Sequence, residues 1–199
     1  CWACYHTEMM ELVTPTATIG VVGGAVGSSF AVLVAEELFA SGCRLLLSVT
    51  SAGQVVPVGD PPYFVLIERA LRDEGTSHHY VPPHFYARCS TELLALADGL
   101  EAGEPRVVRG GVWTTDAPFR ETEQALAFAY SEGLLAVEME AAALYAFAEA
   151  RDCAVLCFAH VTNCMATVEH DFEKGEASGN KAMINLVEHI TKRFYQSRA

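Results

Sequence analysis

The chain has 199 residues, 51% of them hydrophobic and 19% charged, with 25 acidic against 13 basic side chains and a formal net charge of −12. That length fits one domain with a sizeable core, and the apolar fraction excludes disorder. An acidic surface repels phosphate backbones and anionic lipid, so no nucleic acid and no membrane is expected as a partner; a small molecule is.

No window reaches the roughly 18 uninterrupted apolar residues of a membrane span. The nearest, Ala17 to Ala35, is broken by Gly20, Gly23, Gly24 and Gly27. The first residues lack the basic, apolar, small-residue succession of a secretory signal. The seven cysteines are scattered, with one CxxC spacing from Cys1 to Cys4 and no second pair, which reads as reduced thiols in a cytoplasmic protein.

In chain order, the β-branched run Ala17 to Gly24 predicts a buried strand entering a glycine loop. Ser28 or Ser29 then caps a helix from Phe30 to Ser41, which Gly42 ends. Arg44 to Thr50 follows as the next buried strand, completing a βαβ unit. Tyr63 to Leu71 fits strand or helix, and Asp73 to Arg88, with its glycine, prolines, histidines and aromatics, reads as a long loop of the kind that binds ligands. Helices are predicted over Thr91 to Glu101, Glu121 to Glu132, Glu138 to Arg151 and Glu176 to Gln196. Strands are predicted over Arg106 to Thr114, Leu134 to Val137 and Cys153 to Thr162. Strands alternating with helices predict an α/β sheet in one domain spanning residues 1–199.

Open α/β sheets bind ligands at the carboxyl ends of their strands, so the chemistry is sought there. The segment Gly23 to Ser29 has neither a Walker lysine nor GxGxxG spacing; alone, it reads as a tight strand-to-helix turn. Glu138-Met139-Glu140 puts carboxylates at i and i+2 of a helix start, pointing in different directions. One serves the helix N-terminus, the other faces the strand-end crevice, where it suits a sugar diol; two solvated glutamates are the plainer alternative. His78, His79 and His84 share one loop without metal-ligand spacing, so no metal is expected. Phe119, after Pro118, is either a stacking surface for a planar base or a core anchor.

Four segments occur together in one order. They are Ala35-Glu-Glu-Leu38 after a glycine loop, Arg72 to Tyr80, Trp113-Thr-Thr-Asp-Ala-Pro-Phe119, and Ala136-Val-Glu-Met-Glu-Ala-Ala-Ala143. In this order they resemble the nucleoside phosphorylase superfamily, closest to its uridine phosphorylase-like branch, over nearly all of the chain. The resemblance implies a three-layer α/β/α fold around a mixed, partly barrel-like sheet, here expected to lack the first strand. It also implies a homo-oligomer (dimer or hexamer), a nucleoside substrate, inorganic phosphate as the default nucleophile, and no cofactor.

By resemblance, Glu138, Met139 and Glu140 contact the ribose, with Glu140 accepting from the 2′-hydroxyl. Gly53, Phe119, Arg120 and Asn163 meet the base, and Gly27 and Ser51 lie at the phosphate or water position. Glu140 and Asn163 are the expected catalytic pair. Three phosphate-binding arginines of the family have no counterpart: one would precede this sequence, Thr7 stands near the second position and Ser48 at the third. Asn163 stands where purine-specific members carry an acid. These departures leave a nucleoside hydrolase, or a non-catalytic nucleoside-binding member, as alternatives.

Overall fold

The computed structural model describes residues 4, 6–103, 105–164 and 179–198. The chain begins with an antiparallel hairpin, β1 (Met9–Val13) with β2 (Thr18–Val22), in register Met9 to Val22 through Val13 to Thr18. Its turn is closed by Thr14, whose N–H and hydroxyl both donate to the Ala17 carbonyl at 3.0 and 2.8 Å. This corrects the βαβ expectation. β2 is a half-exposed strand of a separate two-stranded sheet and does not pair with the strand that follows helix α1 (Ser28–Ala40).

α1 starts without a serine cap: Gly27 is the N-cap, at φ 87° and ψ 148°, a conformation that only glycine adopts without strain. It ends as predicted on Gly42, at φ 97°. There the Gly42 N–H donates to Phe39 and the Cys43 N–H to Leu38, the Schellman pattern that satisfies the last carbonyls.

The main sheet holds β3 (Leu46–Gln54), β4 (Tyr63–Asp73), β5 (Tyr86–Arg88), β6 (Val107–Thr115), β7 (Leu134–Glu138) and β8 (Val155–Cys164) in the order β5-β4-β6-β7-β3-β8. A further pairing of β4 with β8 closes five of these strands into a mixed barrel-like ring, with β5 attached outside it on β4. The ambiguous apolar run at Tyr63 is thus a strand. Tyr63 through Ile67 are buried on both faces, which removes the alternation that would have marked a strand.

Helices flank the ring: α2 (Thr91–Leu94), α3 (Glu123–Ser131), α4 (Ala141–Arg151) and α5 (Asn180–Gln196). The predicted helix from Thr91 shortens to one turn followed by two 3₁₀ turns. α4 is buried from Ala141 to Phe147, since its alanines let the helix approach the ring closely. Its Tyr145 hydroxyl donates to the Ile67 carbonyl at 2.6 Å, where β4 slips a residue against β6, and accepts the Cys157 N–H at 3.1 Å. Cys1 and the predicted helix start at Glu176 lie outside the described residues. No described helix is long and apolar enough to cross a membrane.

Candidate active site

Two helices begin side by side at the carboxyl ends of the strands, and each receives a carboxylate from the junction between β7 and α4. Glu138, the last residue of β7, turns inward and is 3% exposed. Its Oε2 accepts the N–H groups of Glu140 and Ala141 at 2.7 and 2.8 Å, and its Oε1 accepts the Thr114 hydroxyl. Thr114 Oγ1 in turn accepts the Ala142 N–H at 3.0 Å. The first orphan donors of α4 are therefore satisfied from within the ring. Burial raises the Glu138 carboxyl to about 7. The neighbouring Glu140 charge adds to the rise, against the hydrogen bonds from Thr114, Glu140 and Ala141.

Glu140 faces the other helix. Its Oε1 accepts the Gly27 N–H at 2.6 Å, at the start of α1, and its Oε2 accepts the Thr50 hydroxyl at 2.7 Å and, more distantly, the Met139 N–H at 3.4 Å. Ser28 Oγ donates to the Met139 carbonyl at 2.7 Å, so the glycine loop and the Glu-Met-Glu junction are bound at two points. An anion at a helix N-terminus is stabilised by the unpaired N–H groups there, and here that anion is the chain's own Glu140. It is 5% exposed.

Gly53 lies in β3 where that strand is flanked on both sides, opposite Val137 of β7 and Asn163 of β8. β8 carries an extra residue at this point, because Ala52 pairs with Val161 and Gly53 with Asn163. The bulged residue is Thr162, whose hydroxyl is buried without a partner among the described residues. Bulges of this kind occur beside active sites. The side chain of Asn163 lies outside the described residues. Ser51 is exposed on β3, next to Thr50.

Phe119 and Arg120 occupy a 3₁₀ turn beyond β6, where Phe119 is 99% exposed and so is not a core anchor. Arg120 is exposed, and its guanidinium has no fixed partner among the described residues. Among the other described arginines, Arg44, Arg88 and Arg198 lie over aromatic rings, and the rest make hydrogen bonds or ion pairs away from this turn. Arg72 is the most committed: it donates to Ser77 Oγ, to the carbonyls of Val81, Pro82 and His84, and to Nδ1 of His78. This buried guanidinium staples the segment read as a long binding loop. Asp116 adds a second tie by accepting the Gly75 N–H at 2.8 Å. Among the described residues, no three metal-ligating side chains gather.

Sequence reasoning thus found Gly27 and the Glu-Met-Glu segment, which the structure brings together, and missed Thr50, Thr114 and Arg72. A closed mixed ring of strands with carboxylates at the starts of two helices marks the α/β phosphorylase class. A sequence model of the phosphorylase superfamily matches residues 4–192, and the chain belongs to that superfamily.

The uridine phosphorylase of Vibrio fischeri ES114, in complex with 6-hydroxy-1-naphthoic acid, superposes with a TM-score of 0.77 at 22% identity, covering 96% of this chain and 83% of that one. A second structure of uridine phosphorylase from the same organism gives 0.71 at 21% identity, covering 94% and 74%. These are likenesses of fold. A search of curated proteins finds no match.

Proposed function

We propose that this chain cleaves the N-glycosidic bond of a nucleoside. The observation that carries the reading is Glu140, a carboxylate shared between the start of α1 and Thr50 in the middle of the ring strand β3. In cleavage of an N-glycosidic bond the anomeric carbon develops oxocarbenium character, and a hydrogen bond from a sugar hydroxyl to a carboxylate strengthens as that charge grows. Glu140 is the acceptor in this reading, with Met139 against the sugar. Glu138 acts one step removed, by fixing the N–H groups that set the backbone of Glu140. The base lies toward Gly53 and Asn163, with the ring of Phe119 stacked on it and Arg120 at its edge.

The nucleophile enters beside Gly27 and Ser51. Phosphate is the family default and yields a sugar 1-phosphate and free base; water yields free sugar and free base. The second outcome has specific support in this chain. The Gly27 N–H, at the proposed nucleophile position, already holds the Glu140 carboxylate, whereas phosphate recognition relies on guanidinium forks and free N–H donors.

The reading places the enzyme in the cytoplasm as a single-domain homo-oligomer. Free cysteines at 4, 43, 89, 153 and 157 support the compartment, and exposed Met10, Val13 and Val26 support the association.

Mass spectrometry of products from purine and pyrimidine nucleosides, with and without phosphate, tests both readings. Sugar 1-phosphate formed only with phosphate identifies a phosphorylase. Free sugar in both conditions identifies a hydrolase, and no product from any nucleoside overturns the proposal.

A further inference from the structure

A carboxylate offers about four lone-pair positions to donors. In Glu140 the Gly27 N–H takes one on Oε1, and the Thr50 hydroxyl and the more distant Met139 N–H take two on Oε2. One position is left. A ribose brings two adjacent hydroxyls, both donors, and a carboxylate with every position free serves both. Here the second hydroxyl meets a carboxylate already filled by the chain's own hydroxyl, in a site where Glu140 is nearly dry. A buried hydroxyl left without a partner is costly.

We propose that Thr50 is a specificity-determining residue that stands in for the 2′-hydroxyl and matches the site to 2′-deoxyribosyl nucleosides, whose 3′-hydroxyl, in place of the expected 2′-hydroxyl, then takes the remaining position on Glu140. Thr50 does not touch the reacting atoms; it acts through Glu140, as a positioning residue. This inference rests on the glycosidic-bond reading above.

The experiment measures kcat/KM for two pairs, uridine with 2′-deoxyuridine and inosine with 2′-deoxyinosine, in the wild type, Thr50→Val and Thr50→Ser. Deoxyribosides are intrinsically easier to cleave, because the 2′-oxygen withdraws electrons from the oxocarbenium centre. The decisive quantity is therefore the change in the ribo/deoxy ratio between variants. Thr50→Val keeps the shape and frees the acceptor, so the ratio moves toward the ribonucleoside by roughly 10- to 100-fold, the scale of one hydrogen bond to a charged group. Thr50→Ser keeps the hydroxyl and restores the wild-type ratio. If Thr50→Val does not fold, Thr50→Ala carries the same expectation.

A ratio unmoved by removal of the hydroxyl overturns this inference alone and leaves nucleoside cleavage standing. A wild type that favours the ribonucleoside of both pairs also overturns it. A wild type that cleaves none of the four overturns both readings together.

Discussion

At the β7–α4 junction every carboxylate oxygen already has a protein donor, whereas the turn at Pro118–Arg120 presents a phenyl ring 99% exposed and a guanidinium with no fixed partner among the described residues. The first region is assembled by the fold itself, between two helix starts and the ends of two ring strands. The second is a short 3₁₀ turn, held by its own backbone hydrogen bonds and, at its entry, by the Ala117 N–H donating to Thr115 Oγ1 at 3.2 Å. In the proposed function these are the sugar side and the base side. The difference implies that the sugar side is rigid before any ligand arrives, while the base side acquires its geometry from what stacks upon it. Preorganised groups aimed at developing charge supply most of a transition state's stabilisation, which assigns the turnover to the junction and the affinity to the turn.

The contrast breaks most visibly at Glu140. Glu140→Ala lowers kcat/KM for nucleoside cleavage by about 10²- to 10³-fold, the usual effect of removing one charge-stabilising group, while circular dichroism stays that of a folded chain. Turnover within a few-fold of wild type removes Glu140 from the sugar side.

Gly27→Ala tests whether the loop is as fixed as the junction. Apart from its chain neighbours, no atom of the described residues lies within 4 Å of the added Cβ, so its effect comes from the backbone at φ 87°. We expect about 1–3 kcal/mol of lost stability in urea unfolding. An unchanged midpoint means that the loop adapts.

Phe119→Ala is the counterpart on the base side. Stability stays within about 0.5 kcal/mol, as at exposed positions generally, while KM rises about tenfold, at the lower end of what one base–aromatic stack contributes. A lowered kcat at constant KM reverses the division of labour between the two regions.

The last comparison is read in pH dependence, at Glu138. Its carboxyl is raised to about 7 in the folded chain against 4.5 unfolded. The folded state therefore holds the proton more tightly. The stability this contributes is complete below about pH 4.5 and is lost as pH rises toward 7. Urea unfolding at pH 5 and pH 8 should show the wild type losing stability relative to Glu138→Gln across that window. A difference between the two proteins that does not vary with pH means that Glu138 titrates as an ordinary carboxylate.

Much of the fold was legible because local pattern suffices for it. The alanine-rich stretch after Val137, the glycine after Ser41 and the apolar runs of β6, β7 and β8 each carry their own signal. The pairing of β2 was not legible: β-branched residues ending in glycines announce a strand but not its neighbour, and a short hairpin partner at Met9 to Val13 has little pattern of its own. The acidic half of the site was legible because carboxylates at a strand-to-helix junction are chemically conspicuous. Thr50 and Thr114 were not, since threonine inside a strand is ordinary β-propensity until a tertiary partner gives its hydroxyl a role. Arg72 escaped for a related reason. Its acceptors are largely backbone carbonyls, which every residue has, so no side-chain pattern foretells them.

The ring of strands is unevenly sewn. β3 is bound to β8 through nine residue pairs, from Leu46 with Val155 to Gln54 with Cys164, but to β7 through two, Gly53 with Val137 and Gln54 with Ala136. In native-state hydrogen exchange, a ladder with fewer rungs opens at lower free energy than a longer one. The amides of the β3–β7 seam, among them Val55, whose N–H donates to the Leu135 carbonyl at 2.9 Å, are then expected to exchange ahead of those of the β3–β8 ladder. That seam adjoins the Glu-Met-Glu junction in sequence and in the sheet. Any molecule that seats there slows exchange at the seam first.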